Sequence, residues 1–177
     1  CKLFTDTDTA FVPIGRIVKS GGLSSVVKYY DEHGYSDEVR DILVFDALIY
    51  NEDRHFGNFG LLRDNRSGRI KSAAPIFDNG NSLFNLAMPG DYSRLDEYAA
   101  TRSPAYPGTT FEGICESFIT SRQIEKLRKL LDFSFVRHPN PKLNLPQEYL
   151  AAIEKQLRRR ASMLIELGGG ESTKRGI

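Results

Sequence analysis

The feature that most constrains the fold is an abrupt change of pattern at Asn51. Over residues 37–50, apolar side chains recur at helical spacing on more than one face, which predicts a mostly buried α-helix. Ser36 offers an N-cap, and the acidic residues after it suit the positive end of the helix dipole. Residues 51–58 are mostly polar or glycine, so a loop must follow the helix directly. The apolar helical positions are Val39, Ile42, Leu43, Ala47, Ile49 and Tyr50.

A β-hairpin is predicted immediately after this loop. Residues 59–62 form an apolar run, residues 64–68 are a cluster of turn formers, and residues 69–76 can return as the second strand. Most of the remaining sequence has helical periodicity, so we predict an α+β, mainly helical domain with one central β-hairpin. The other predicted helices cover residues 23–33, residues 111–120 with Thr109 and Glu112 at capping-box spacing, a helix capped by Ser121, and a long helix from Pro146 to Gly168.

Two stretches have little periodicity. Residues 5–22 are interrupted by Pro13 and by a glycine pair, so we expect a loop with a short strand or turn there. Residues 79–110 contain several prolines and glycines, and a loop of that length is uncommon unless it is functional or mobile. Arg94 and Arg102 within it are candidate contacts for an acidic or phosphorylated substrate, with a mobile surface loop as the alternative.

Charge and cysteine content argue against several classes of protein. Lys and Arg number 24 against 23 Asp and Glu, a formal charge of +1, which argues against binding nucleic acid or a membrane through bulk charge. No apolar run approaches the ~20 residues that span a bilayer. Cys1 and Cys115 cannot form a disulfide framework or a four-cysteine zinc site, so we expect a reducing, cytoplasmic location.

Three oxygen-bearing side chains bracket the predicted hairpin. Asp53 and Asn58 lie in the loop before it, and Asp78 follows its second strand. The order of helix, loop, hairpin and aspartate is expected to bring the three together. Phosphoryl transfer needs such a set, namely one carboxylate to orient the attacking hydroxyl, and an amide and a second carboxylate to hold Mg²⁺. Mg²⁺ prefers oxygen ligands and keeps several waters and phosphate oxygens, so two protein ligands suffice.

The same residues carry a resemblance to a known family. The pattern Asp53-Arg54-His55-Phe56-Gly57-Asn58 before a hairpin, with Pro75-Ile76-Phe77-Asp78 after it, resembles the HipA family of bacterial serine/threonine kinases. With Asp78-Asn79-Gly80 it is also similar to the phosphatidylinositol 3- and 4-kinases. Both resemblances imply a protein-kinase-like catalytic lobe that uses ATP and Mg²⁺, and they differ in the substrate.

The resemblance implies a role for each site residue. Asp53 would be the base-like catalytic aspartate, and His55 would lie beside the transferred phosphoryl group. Asn58 and Asp78 would bind the metal and, through it, the nucleotide. The HipA resemblance also implies a protein Ser/Thr substrate, a bacterial toxin–antitoxin setting and, as partner, a DNA-binding repressor. Direct nucleic-acid or membrane binding by this chain is not expected, because its charge is balanced and no apolar run is long enough to span a bilayer.

Two parts of a complete kinase are not found in the sequence. There is no glycine-rich strand–turn–strand, and neither Lys2 nor Lys19 has the setting of the phosphate-binding strand lysine. We therefore interpret the chain as a C-terminal lobe whose N-terminal lobe is missing, with nucleotide binding expected to be poor and activity absent in isolation. Residues 1–22 would be the inter-lobe segment and the start of the C-terminal lobe, with Cys1 to Phe4 near the adenine. Residues 23–167 would form the rest of the lobe, and residues 168–177 a flexible tail.

Simpler interpretations remain open. Asp53 and Asp78 are also ordinary turn residues, and Asn58 beside Gly57 is also suited to a left-handed loop conformation. His55 is as well explained by a structural hydrogen bond as by proton transfer. Arg158 to Arg160 are expected to be solvated side chains with buried stems, not a nucleic-acid patch. Alternative functions are a phosphoinositide-type lipid kinase and a non-catalytic module that docks a partner.

Overall fold

The computed structural model describes residues 3–169, in which helices and a small antiparallel sheet pack into a mixed α+β fold. About half of these residues are helical. The sheet has the strand order β1–β2–β3. The strands are β1 (Thr9–Pro13), β2 (Gly60–Asp64) and β3 (Ile70–Ala73); the helices are α1 (Ile14–Ile17), α2 (Gly22–Glu32), α3 (Ser36–Ile49), α4 (Leu95–Ala100), α5 (Phe111–Phe118), α6 (Ser121–Arg128) and α7 (Gln147–Gly169), with 3₁₀ turns at Pro89–Ser93 and Pro141–Leu143.

The predicted hairpin is present, and β1 extends it to three strands. β1 pairs along the whole of β2, from Thr9 opposite Asp64 to Pro13 opposite Gly60. A Cβ atom at Gly60 would lie 2.1 Å from the carbonyl oxygen of Val12, so only glycine permits this approach of the two strands. β3 ends at Ala73 rather than at residue 76, because Pro75 has no N–H to donate to a strand ladder.

Helix α3 is the central element of the fold. One face joins Ile14, α2 and the sheet in one apolar cluster, and another face joins α5 and α7 in a second cluster. The predicted bounds of α2 and α3 agree with the structure within about one residue, although the N-cap of α3 is Tyr35 and not Ser36. Helix α3 is therefore packed on two sides, and the Asn51 loop begins at its C-terminal end.

The segment 79–110 contains more structure than its sequence indicates. Leu95 and Ala99, one helical turn apart on α4, are both buried. A helix of this length is too short to show a periodic pattern above the background of a polar segment. The prediction of an unbroken loop is therefore wrong at the 3₁₀ turn and at α4.

Besides the cap of α3, two more predicted helix caps are displaced by one residue. The Oγ1 of Thr110, not of Thr109, accepts a hydrogen bond from the Gly113 N–H at 3.0 Å. Thr120, not Ser121, caps α6 and forms a capping box with Gln123. In both places two hydroxyl residues are adjacent in sequence, so composition alone does not fix which of them is the cap.

The ends of the chain bear on the predicted division into segments. Within residues 1–22, predicted to be the inter-lobe segment and the start of the lobe, β1 and Ile14 belong to the same sheet and core as the rest of the fold. Gly168 and Gly169, placed by sequence in the tail, continue α7. Cys1, Lys2 and residues 170–177 lie outside the described residues. None of the helices in residues 3–169 is both long enough and apolar enough to cross a membrane.

Candidate functional site

The loop that carries the predicted site starts from a fixed helix end. Tyr50 adopts a left-handed conformation with φ of 53°, and the N–H groups of Tyr50 and Asn51 both donate to the carbonyl of Asp46. Asn51, 1% exposed, then holds the turn, because its Nδ2 donates to Asp46 Oδ1 at 2.9 Å and its Oδ1 accepts from the Asp53 N–H at 3.1 Å. Asn51 thereby links the Asp53 backbone to the C-terminal end of α3.

Arg54 is the centre of the site, with a side chain only 1% exposed. Its Nε and Nη2 donate to the two carboxylate oxygens of Asp46 at 2.8 and 3.0 Å. Its Nη1 donates to the carbonyls of Asn58 at 2.9 Å and Phe77 at 2.5 Å, and Nη2 also donates to the side-chain oxygen of Asn79. A guanidinium group carries five N–H donors, and each of them has an acceptor here.

This network joins the loop before the hairpin to the segment after it. The carbonyls of Asn58 and Phe77 bond to the same nitrogen atom, so the two oxygens lie within about 5 Å of one another. Phe77 and Asn79 flank Asp78, and Arg54 bonds to both of them. The structure therefore brings the backbones that carry Asp53, Asn58 and Asp78 into one region, as the order of elements predicted.

The buried charges of the network cancel. Burial raises the pKa of Asp46 above its ordinary value, while hydrogen bonds from Arg54 and Asn51 act in the opposite direction by favouring the carboxylate. The Arg54 guanidinium balances that carboxylate within the protein. The exposed carboxyl groups of Asp53 and Asp78 are left as the local source of negative charge, which favours a cation at this surface.

Asn58 has an orientation that can be assigned from its partner. Its side chain faces the backbone carbonyl of Asp53 at 2.9 Å, and a carbonyl only accepts hydrogen bonds, so the facing atom is Nδ2. The Asn58 Oδ1 atom therefore points away from that carbonyl, and within residues 3–169 no group donates to it. An amide oxygen held in this way is a suitable ligand for a hard cation.

Asp78 occupies an uncommon backbone conformation. Its φ is 56°, in the left-handed region that aspartate and asparagine tolerate better than most residues. Arg54 holds the residues on both sides of it, and Ser82 Oγ fixes Asn79 further by donating to its carbonyl at 2.6 Å. These contacts hold the backbone on both sides of Asp78. Its carboxyl group is exposed and receives no hydrogen bond from the described part of the chain.

Asp53 and His55 are exposed at the outer edge of the loop. The Asp53 carbonyl accepts from both the Asn58 side chain and the His55 N–H, while its carboxyl group has no donor among residues 3–169. The Nδ1 atom of His55 accepts from the Gly57 N–H at 3.0 Å, so Nε2 is the nitrogen that carries the proton. A Cβ atom at Gly57 would lie 2.8 Å from the imidazole ring, so a larger residue there would require the His55 side chain to move.

The oxygen atoms of this region fit Mg²⁺. Asn58 Oδ1 and the Asp78 carboxyl group are hard ligands without protein donors, and Mg²⁺ needs few protein ligands because water and phosphate complete its shell. Among the described residues, no group of three or more His, Cys, Asp or Glu side chains is placed to hold a metal ion. The residue types therefore suit a two-ligand magnesium site shared with phosphate oxygens, and not a site made by the protein alone.

The C-terminal helix contributes to the site from behind. Because the Asn51 N–H bonds to Asp46, the Ala47 carbonyl at the end of α3 lacks its usual helical donor, and Arg160 Nε supplies one at 2.9 Å. Arg160 is 2% exposed, pairs with Glu112 and lies over the Tyr50 ring. The expectation that this arginine is solvated is wrong, since it neutralises a buried helix end.

The residues that hold the site were not all found from sequence. Arg54 was identified only as part of the motif, and Asp46 was not singled out. A signal was present, because Asp46 lies among apolar residues on a helix predicted to be mostly buried. A buried acidic residue requires a partner, and the nearby arginine of the polar loop is a natural one.

Comparison with known proteins supports the kinase-like architecture. No family model matches the chain, and a search of curated proteins finds no match. Among solved structures, the Helicobacter pylori proinflammatory kinase CtkA superposes with a TM-score of 0.66 at 19% sequence identity, over 100% of this chain and 76% of that one. The fold is kinase-like. At this level of identity the similarity establishes the fold alone, and it confirms the α+β, kinase-like prediction made from sequence.

Proposed function

We propose that this chain is the catalytic lobe of a HipA-like kinase, which transfers phosphate from Mg²⁺-ATP to a Ser or Thr hydroxyl of a protein. The observation that carries the proposal is the Arg54 network, which joins the Asp53–Asn58 loop to both neighbours of Asp78. A kinase needs the residues that face the hydroxyl and the metal at fixed positions relative to one another. A kinase-like fold is in agreement with this reaction.

Each residue of the site has a proposed role. Asp53 orients the attacking hydroxyl, because its carboxyl group is exposed while its backbone is held by Asn51 and Asn58. Asn58 Oδ1 and the Asp78 carboxyl group would hold Mg²⁺, which would supply positive charge to stabilise the phosphates. His55 donates its Nε2–H to the transferred phosphoryl group, since Nδ1 is already used by Gly57.

The nucleotide would need a second binding surface. The sequence lacks a glycine-rich strand pair and a strand lysine in the appropriate setting. We propose that another part of a longer protein supplies them, so this chain alone binds ATP weakly and transfers little or no phosphate. Near the proposed nucleotide side, Phe4 packs against Phe77 with ring centroids 5.3 Å apart.

The charge of the segment after Asp78 favours a protein acceptor over a lipid headgroup. Arg102 pairs with Glu52, and Arg94 pairs with Glu97, so both arginines proposed for an anionic substrate already have acidic partners. A phosphoinositide would require free positive charge near the catalytic loop. A role in docking a DNA-binding repressor and a cytoplasmic location remain part of the HipA-like proposal.

Phosphate transfer by the natural full-length protein tests this function. The variant D53N is expected to keep its affinity for Mg²⁺-ATP and to lose at least about 100-fold in kcat. The variant D78N is expected to weaken Mg²⁺-ATP binding, measured by calorimetry. Asp132 is exposed and distant in sequence from the site, and D132N provides the matched control with unchanged rate and affinity.

The acceptor decides between the two kinase classes. We expect transfer to dephosphorylated casein, used as a protein probe, and none to phosphatidylinositol in phosphatidylcholine vesicles. Transfer to the lipid alone would support the phosphoinositide-kinase alternative. An unchanged rate in D53N would remove Asp53 from the mechanism, and absence of any Mg²⁺-ATP binding by the wild type would favour the docking module.

A further inference from the structure

Glu52, the residue before Asp53, contacts both ends of the segment that follows the site. Its backbone N–H donates to the Asn81 carbonyl at 3.2 Å. Its carboxylate accepts from Arg102 Nη1 at 2.6 Å and from the Ser103 N–H at 3.4 Å. Residues 81–103, here termed the acceptor segment, therefore start and finish at one residue of the catalytic loop.

The Glu52–Arg102 pair differs from an ordinary surface ion pair. The two side chains are 24% and 23% exposed, whereas those of the neighbouring Arg94–Glu97 pair are 63% and 72% exposed. Arg102 is restrained further, since its guanidinium lies 4.4 Å from the centroid of the Tyr98 ring and donates to Thr101 Oγ1. A half-buried pair with restrained partners loses less to solvent screening and side-chain entropy than an exposed one.

We propose that Glu52 and Arg102 are positioning residues that hold the acceptor segment against the catalytic loop and so set the access of the acceptor hydroxyl to Asp53. This inference rests on the proposed kinase function. Its physical basis is that Glu52 is covalently adjacent to Asp53, so any movement of the segment that pulls on Glu52 displaces the catalytic carboxyl group.

The pair acts on the acceptor side and not on the nucleotide side. The backbones that carry Asn58 and Asp78, the proposed magnesium ligands, are held by Arg54. Neither Glu52 nor Arg102 hydrogen-bonds to Arg54. Disruption of the pair is therefore expected to change use of the acceptor while leaving Mg²⁺-ATP binding in place, a separation that general destabilisation of the fold would not produce.

Hydrogen exchange on this chain tests the contact without requiring activity. In the wild type, local opening of the segment must break the Glu52–Arg102 ion pair before the amides can exchange. In R102M this cost is absent, so the amides of Thr101 to Ser103 are expected to exchange about fivefold faster than in the wild type. E52Q should give a similar increase, and the double variant E52Q/R102M should be no faster than R102M alone. R94M, which removes the exposed pair on the same segment, is the matched control and should leave these amides unchanged.

Kinetics of the natural full-length protein test the consequence. With casein as acceptor, R102M is expected to lower kcat/KM for the acceptor about tenfold and to leave KM for Mg²⁺-ATP within about twofold of wild type. R102K, which keeps the charge, should recover part of the loss. Equal losses on the acceptor and nucleotide sides, or unchanged amide exchange in R102M, would overturn the proposal.

Different results would overturn the kinase function and the positioning role of Glu52 and Arg102. If R102M and E52Q release the segment while the wild-type protein transfers no phosphate to any acceptor, the contact stands and both the kinase function and the positioning role are overturned. If the wild type is an active kinase and R102M matches it in every acceptor parameter, the positioning role alone is overturned.

Discussion

Replacement of Arg54 by methionine is the perturbation that the structure makes most quantitative. R54M keeps a long side chain and removes all the hydrogen bonds that Arg54 donates to Asp46, Asn58, Phe77 and Asn79. The Asp46 side chain is only 6% exposed, so the variant leaves a buried carboxylate with Asn51 as its remaining side-chain donor. Removal of one partner from a buried ion pair typically costs 3–5 kcal/mol, and we expect a loss of about 4 kcal/mol in the free energy of unfolding.

Urea unfolding followed by circular dichroism measures this loss. The exposed Arg66–Asp8 pair provides the control, because R66M removes the same chemical group from side chains that are 83% and 54% exposed. R66M should lower the free energy of unfolding by no more than about 0.5 kcal/mol. The double variant D46L/R54M should have a free energy of unfolding about 2 kcal/mol higher than that of R54M, since no unpaired buried charge remains. A loss below about 1 kcal/mol in R54M, or no recovery in the double variant, would refute this account of the network.

Three further predictions concern stability and reactivity. G60A should lower the free energy of unfolding by about 3 kcal/mol, because its methyl group would lie 2.1 Å from the Val12 carbonyl of the paired strand. G90A is the control and should be nearly neutral, because nothing lies within 4 Å of the added methyl group. Thermal unfolding of the two variants measures the difference. The hydrogen bond from Arg40 lowers the pKa of Asp31, so the Arg40–Asp31 pair stabilises the fold above about pH 4 and loses this contribution as the pH falls further. The difference in free energy of unfolding between wild type and D31N should therefore shrink as the pH is lowered below about 4. Burial raises the pKa of Cys115 to about 12, so iodoacetamide at about pH 8 should label it only when the chain unfolds, as mass spectrometry would show.

Secondary structure with a strong local signal was predictable from sequence. The periodic apolar positions of α2 and α3, and the turn cluster of the hairpin, identify elements that the structure contains. Strand β1 was harder to predict, because it is short and is stabilised by pairing with β2, which is distant in sequence. Helix α4 was missed for a similar reason, as two buried residues do not make a pattern.

The polar arrangement of the site was predictable only in part. The order of elements was sufficient to place Asp53, Asn58 and Asp78 in one region. The five-donor role of Arg54 was not predictable, because it depends on carbonyl groups whose directions are set by tertiary folding. Arg160 illustrates the same limit, since three consecutive arginines appear equivalent in sequence while one of them caps the buried end of α3.

Paramagnetic relaxation by Mn²⁺ tests whether Asn58 and Asp78 share a metal site, because Mn²⁺ replaces Mg²⁺ and broadens the NMR signals of nearby nuclei. When Mn²⁺-ATP is added to this chain, the amide signals of Asn58 and Asp78 should broaden first. In D78N, the signals near residues 58 and 78 should no longer broaden before the others. Contradiction would come from equal or stronger broadening at Asp96 and Glu97, exposed acidic residues outside the Arg54 network, with no preference for residues 58 and 78.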